Sequence, residues 1–135
     1  MPRPPLSDQA AAKIALRRAA LANRQARLPE IRERGIAAVQ RLVPIAQSDT
    51  GQAGVIARFL LSLYNGYRFP FDLTDFRRLD LNLFEDCLAV LDMDFQPAEE
   101  IHRYVDNGSA VFEQLARDWG FRDFHDDDWR RRRDE

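Results

Sequence analysis

Cysteine occurs once in this sequence of 135 residues, at Cys87. A lone thiol excludes an internal disulfide and a thiolate zinc site, and it suits a reducing compartment. Histidine occurs twice, at His102 and His125, so a histidine-rich metal site is excluded as well. No apolar run approaches the ~20 residues that a membrane-crossing helix needs. No apolar segment follows Met1-Pro2-Arg3-Pro4-Pro5, so no secretory leader is expected. A Gly-rich phosphate loop, a nucleophile elbow and a paired-carboxylate pattern are all missing. Six glycines and seven prolines are too few for a collagenous or low-complexity chain. These absences leave a cytoplasmic, single-domain protein with no expected catalytic residue, cofactor, metal, membrane contact or small-molecule substrate.

Lysine is nearly absent too. Lys13 stands alone among 20 basic residues, the rest being arginine. Arginine-coding bias in a GC-rich genome accounts for this, as would selection for a planar fork that grips phosphate or carboxylate. The charges are also segregated. Residues 1–48 carry nine basic and three acidic side chains, whereas residues 49–128 carry seven basic and seventeen acidic ones. The chain is a basic arm on an acidic body, although its net charge is only −2.

Apolar spacing predicts an all-α fold: a compact bundle of five or six short helices preceded by a basic, Ala/Arg-rich helix. The first helix starts after Ser7 and runs to about Arg27, and Pro29 suits the first position of a second one. Ile36, Val39 and Val43 mark the buried face of that second helix, and Pro44 predicts a kink or break in it. Asp49-Thr50-Gly51-Gln52 reads as a helix start, with Asp49 accepting from exposed amides and Gln52 in capping-box register. The following helix, rich in Val55, Ile56, Phe59, Leu60 and Leu63, stops at Asn65-Gly66. Asp72 is placed to cap a single turn in Phe71-Asp72-Leu73-Thr74-Asp75, with Asp75 complementing the helix dipole and Phe71 and Leu73 holding the turn to the core. Asp80 caps a helix whose inward face is Phe84, Cys87, Leu88 and Leu91. Pro97 begins a short helix with Glu99 and Glu100 in its first turn. Ser109 caps the last helix, which Gly120 ends. The predicted core is Phe59, Leu60, Leu63, Phe84, Leu88, Phe112, Leu115 and Trp119. Three segments follow: a basic helical arm (1–28), a helical domain (29–121) and a charged tail (122–135).

As an ordered set, Asp49-Thr50-Gly51-Gln52, the apolar helix ending at Tyr64-Asn65, Phe71-Asp72-Leu73-Thr74-Asp75 and Arg117-Asp118-Trp119 resemble an uncharacterised family of small bacterial proteins. Its members are encoded on plasmids and integrative conjugative elements, and some are labelled partition-associated. The resemblance spans roughly residues 38–119. It implies an accessory protein of a mobile genetic element and supplies no catalytic residues.

The arm carries the clearest candidate for contact with a partner. At ~100° per residue, Ala12, Ala15, Ala19, Ala22 and Ala26 share one side of the first helix, with Ile14 and Leu21 beside them. Lys13, Arg17, Arg24 and Arg27 share another side. An alanine face buries little area, so the arm either orders on DNA, RNA, an acidic protein or anionic lipid, or lies on its own acidic body. Arg130, Arg131, Arg132 and Arg133 form a second basic run, offset by Asp126-Asp127-Asp128 and Asp134-Glu135. His102 beside Glu99 and Glu100 has the composition of a general base, but a surface or boundary histidine is the expected reading. The expected function is a non-catalytic helical interaction module that binds a protein partner or a second copy of itself. The alternative is a nucleic-acid-associated protein whose arm and Arg tail make weak, non-specific phosphate contacts.

Overall fold

A computed structural model describes residues 3–5 and 7–126. Among these residues there is no strand; four α-helices and two 3-10 segments carry the fold. They are α1 (Asp8–Ala46), α2 (Gly51–Tyr64), α3 (Leu81–Asp94) and α4 (Gly108–Trp119), with 3-10 segments at Leu73–Arg78 and Ile101–Tyr104. The all-α class is as the apolar spacing predicts.

The two helices expected on either side of residue 28 are one element of 39 residues, about 58 Å long at 1.5 Å per residue. Ser7 caps it as predicted, its hydroxyl accepting from the Ala10 amide at 3.1 Å. Pro29 and Pro44 both lie inside the helix. Pro29 leaves the Gln25 carbonyl without its usual donor, but both residues face solvent, where water serves. Buried Leu28 and Ile31 seat the helix on the body around Pro29, so docking keeps continuous what the sequence alone marks as a boundary. Pro44 falls in the final turn and leaves the carbonyl of exposed Gln40 without its usual donor, but the helix runs on to Ala46 in place of the predicted kink or break.

α1 packs chiefly along α3 and then against α2, while α4 closes the other side of α2. Gly35 marks the closest approach of α1 to α3, since a Cβ there would collide with the Met93 side chain. The Trp119 indole donates to the Ala46 carbonyl at 2.8 Å, which satisfies a terminal acceptor of α1 and ties α4 to it. Gly120, at φ 64°, ends α4; the Gly120 amide donates to Arg117 and the Phe121 amide to Ala116, a Schellman pattern.

Several local expectations are corrected. Thr50, not Asp49, caps α2, its hydroxyl accepting from the Ala53 amide. Gln52 therefore misses capping-box register and reaches across to Asp80, accepting from its backbone amide and donating to its carboxylate. Pro97 starts no α-helix; a 3-10 turn begins at Ile101. Asn107, in the left-handed region at φ 54°, stands at the N-cap of α4 in place of Ser109. Leu88 leaves the core, because α3 buries Leu83, Cys87, Val90 and Met93 instead. Both sides of α3 are apolar, and contact with α1 chooses the face. Phe59, Leu60, Phe112 and Leu115 are buried as predicted, and Leu63 and Trp119 pack partly buried against them. Phe84, half-buried, joins a ring cluster through Phe76.

Candidate interaction surface

Two places on the fold collect the residues that the sequence singles out. The first is the N-terminal half of α1. From Ala11 to Asn23 every side chain is exposed except Ile14, and the buried residues of α1 begin only at Leu28. Among the described residues no side chain of this stretch forms an ion pair or hydrogen bond with another element. Lys13, Arg17 and Arg27 are exposed there.

Arg24 is different. It is half-buried and committed: its guanidinium donates to the Asp92 carboxylate, the Asp92 carbonyl and Gln96 Oε1, each at 2.6 Å, and lies 5.2 Å from the Phe95 ring centroid. The expected four-cation face is thus three free cations and one clamp. The structure also sets Ile14 and Leu21 in line with buried Leu28, at successive sevens that drift only ~20°, rather than with the alanines. Arg130, Arg131, Arg132 and Arg133 lie outside the described residues.

The second place is a cleft of about 660 Å³ where both halves of the sequence motif meet. Gly51 and Gly54 of α2 form one side, Phe71, Asp72 and Asp75 another, and Arg58 crosses its rim. Asp72 caps the 3-10 segment as predicted, accepting from the Thr74 amide at 2.9 Å and hydroxyl at 2.8 Å, and these bonds hold its carboxyl below the usual range. Phe71 packs on Phe59 and Phe76. Leu73, expected to hold the turn to the core, is instead 72% exposed. Asp49 is exposed and uninvolved in capping. The charged side chains of the lining are the carboxylates of Asp72 and Asp75 and the guanidiniums of Arg58 and Arg78. Among the described residues no group of three His, Cys, Asp or Glu side chains is placed to hold a metal ion. The His102 ring meets Tyr64 edge-on at 5.3 Å, and burial pushes the Cys87 thiol up to about 12.

Sequence reasoning missed the Arg68 node. Arg68 grips Glu113 with a two-pronged fork at 2.7 Å and donates Nε–H to Asp123 at 2.9 Å, joining the loop after α2 to α4 and the following segment. Its partners lie 45 and 55 residues away, beyond any local spacing rule. The fork raises Arg68 and holds Glu113 below the usual glutamate range. A depressed carboxylate contributes stability that is present above its unfolded pKa and is lost as pH falls through the folded value. Urea midpoints should therefore drop as pH is lowered through and below the ordinary glutamate range. Arg68→Met should flatten that dependence and cost about 1.5–3 kcal/mol at neutral pH. An equally steep acid response in the variant would remove Glu113 from the account.

Residues 36–120 match a family described as "Family of unknown function (DUF7673)". No curated protein and no solved structure matches the chain.

Proposed function

Because this chain belongs to that family of unknown function, its role has to be read from its own surfaces, and we propose that it is a non-catalytic helical interaction module. The observation that carries this reading is the free half of α1, a long helical arm with an apolar and cationic face that nothing among the described residues covers. An ordered helix of good propensity that stays uncovered on its own body is built to meet something else. The setting we propose is that of a cytoplasmic accessory protein of a bacterial plasmid or integrative conjugative element. That setting rests on the motif resemblance alone.

A second reading has its own observation. Lys13, Arg17 and Arg18 are all exposed within six residues of one helix, which suits backbone phosphates. Phosphate contact would give an association constant falling with salt at a log–log slope of about −0.9 per duplex phosphate neutralised, indifferent to base sequence.

One experiment separates the two. Full-length protein and a Lys13→Glu/Arg17→Glu variant are used to capture partners from the host, with and without nuclease. The interaction reading expects protein partners that survive nuclease and are lost with the variant. Partners lost with nuclease, together with a salt slope abolished by the variant, would move the assignment to nucleic acid. Capture unaffected by the variant would end the arm's role in either.

A further inference from the structure

The arm's inward face and the outward face of α3 carry the same pattern with opposite charge. On the arm, Ile14, Leu21 and Leu28 recur every seven residues, and Arg17 and Arg24 recur at the same interval between them. On α3 and its C-terminal cap, Leu81, Leu88 and Phe95 recur every seven residues, with Glu85 and Asp92 between them. A repeat of seven keeps residues on one helix face and is the spacing at which two helices mesh. The α3 file is bare: Leu81 is 69%, Leu88 45% and Phe95 74% exposed. On the arm file Leu21 is 62% exposed and Ile14 partly exposed, while Leu28 at its end is buried on the body.

One step of this pairing is already made within the chain. Arg24 sits at the last turn of α3 with its guanidinium on Asp92 and against Phe95, which shows the chemistry that each file accepts. The rest cannot be made in the same molecule. α1 and α3 run antiparallel, with Arg24 at Asp92 and Arg41 at Asp86, so the arm before Arg24 continues past the end of α3. Arg17 and Glu85, one on each file, form no ion pair among the described residues. Alongside Leu88, an open groove of about 230 Å³ runs between α1 and α3, bordered on α3 by Glu85 and Asp92 and on α1 by Arg27, Ile31 and the paired Glu30 and Arg34.

We propose that the occupant is the arm of a second copy of this chain. Resting on the interaction reading above, the inference names its partner: each arm lies along the outer face of the other copy's α3, giving a reciprocal, two-fold dimer. Leucine and isoleucine of the arm cover Leu81, Leu88 and Phe95, and arm cations meet Glu85 and the neighbouring carboxylates. Charge selects this arrangement over the simpler pairing of two arms through the same face, which would set Lys13, Arg17 and Arg24 of one copy against their own equivalents.

The test is the mass of the full-length protein by sedimentation equilibrium over a wide concentration range. The expected result is a reversible dimer, twice the 15.7 kDa chain, that weakens as salt screens the cation–carboxylate pairs. Leu21→Glu and Leu88→Glu should each give monomers of unchanged helicity, since both side chains are exposed. Arg17→Glu and Glu85→Arg should each weaken the dimer, and the double exchange should restore it. A Leu21→Cys/Leu88→Cys protein should form a covalent dimer on mild oxidation, whereas Leu21→Cys alone should not. Cys87, buried and poorly ionised, stays silent. Within one chain the new pair is out of reach. Arg27 borders the groove beside Leu88, and Leu21 lies six residues, about 9 Å, farther along α1. A monomer at every concentration would overturn the proposal, as would a Leu88→Glu dimer or equally efficient cross-linking of Leu21→Cys alone. Each of these outcomes leaves the interaction reading itself to the capture experiment, which asks what else the arm holds.

Discussion

Phe59→Ala is expected to destabilise the protein by about 3–5 kcal/mol, read as a fall in the urea midpoint with unchanged slope. Phe59 is 2% exposed on α2. Its ring meets Phe71 edge-on at 5.8 Å and Phe76 at 5.5 Å, and Phe76 in turn meets Phe71 and Phe84. Truncation removes the buried ring of a four-ring cluster that meets at Phe76, and leaves a void that α2, held by buried neighbours on the same face, cannot close. The 3-10 segment Leu73–Arg78 has no buried residue of its own, so these rings are what hold it down. Its amides, and that of Leu79 which donates to Phe76, should lose hydrogen-exchange protection before the rest of the variant. An unchanged midpoint would place Phe59 outside the core.

Gly108→Ala is expected to cost at least about 1–3 kcal/mol, the range for forcing extra atoms into a packed site. A Cβ at Gly108 would collide with the His102 carbonyl oxygen and carbon. The obstacle is backbone, with no rotamer to swing away, so relief requires moving the Ile101–Tyr104 turn off α4. That turn also buries Ile101 in the core, which resists the shift. Asn107, just before it, holds a left-handed φ of 54°, so the entry to α4 has little freedom to re-aim. Gly51→Ala is the matching control. A Cβ there meets nothing, and at the start of α2 alanine should be neutral or stabilising by up to about 1 kcal/mol. Equal gains in the two variants would mean that helix propensity, not the His102 contact, governs both positions.

How much of this was legible in the residues varies with the range of the interaction. Ser7 as a cap, Asp72 as the cap of a turn, the stop after Tyr64 and Gly120 as a C-terminal signal were all readable, because each depends on neighbours within about four residues. Thr50 displaced Asp49 by a single position, and Gln52 thereby changed from a capping partner into a bridge to Asp80. Pro29 was misread because a proline's local cost is known from sequence while the docking of Leu28 and Ile31 around it is not. The candidate site divides in the same way. The basic composition of the arm was evident, but that Arg24 is clamped while Lys13 and Arg17 are free depends on where α3 ends, 68 residues away.

By itself, then, the sequence determined the helical class, a few of the helix ends (Ser7, Asp72, Asn65-Gly66 and Gly120) and the segregation of charge. These follow from composition and from spacings shorter than a helical turn or two. Only the tertiary structure decided which face of α3 is buried, that arm and first body helix are one helix, and that Arg68 ties the loop after α2 to α4. α3 has apolar residues on two sides, and its own periodicity favours neither; burial goes to the side whose Leu83, Cys87, Val90 and Met93 can approach α1 at Gly35. Close packing at that crossing selected the inner face, and in doing so left Leu81, Leu88 and Phe95 on the outside.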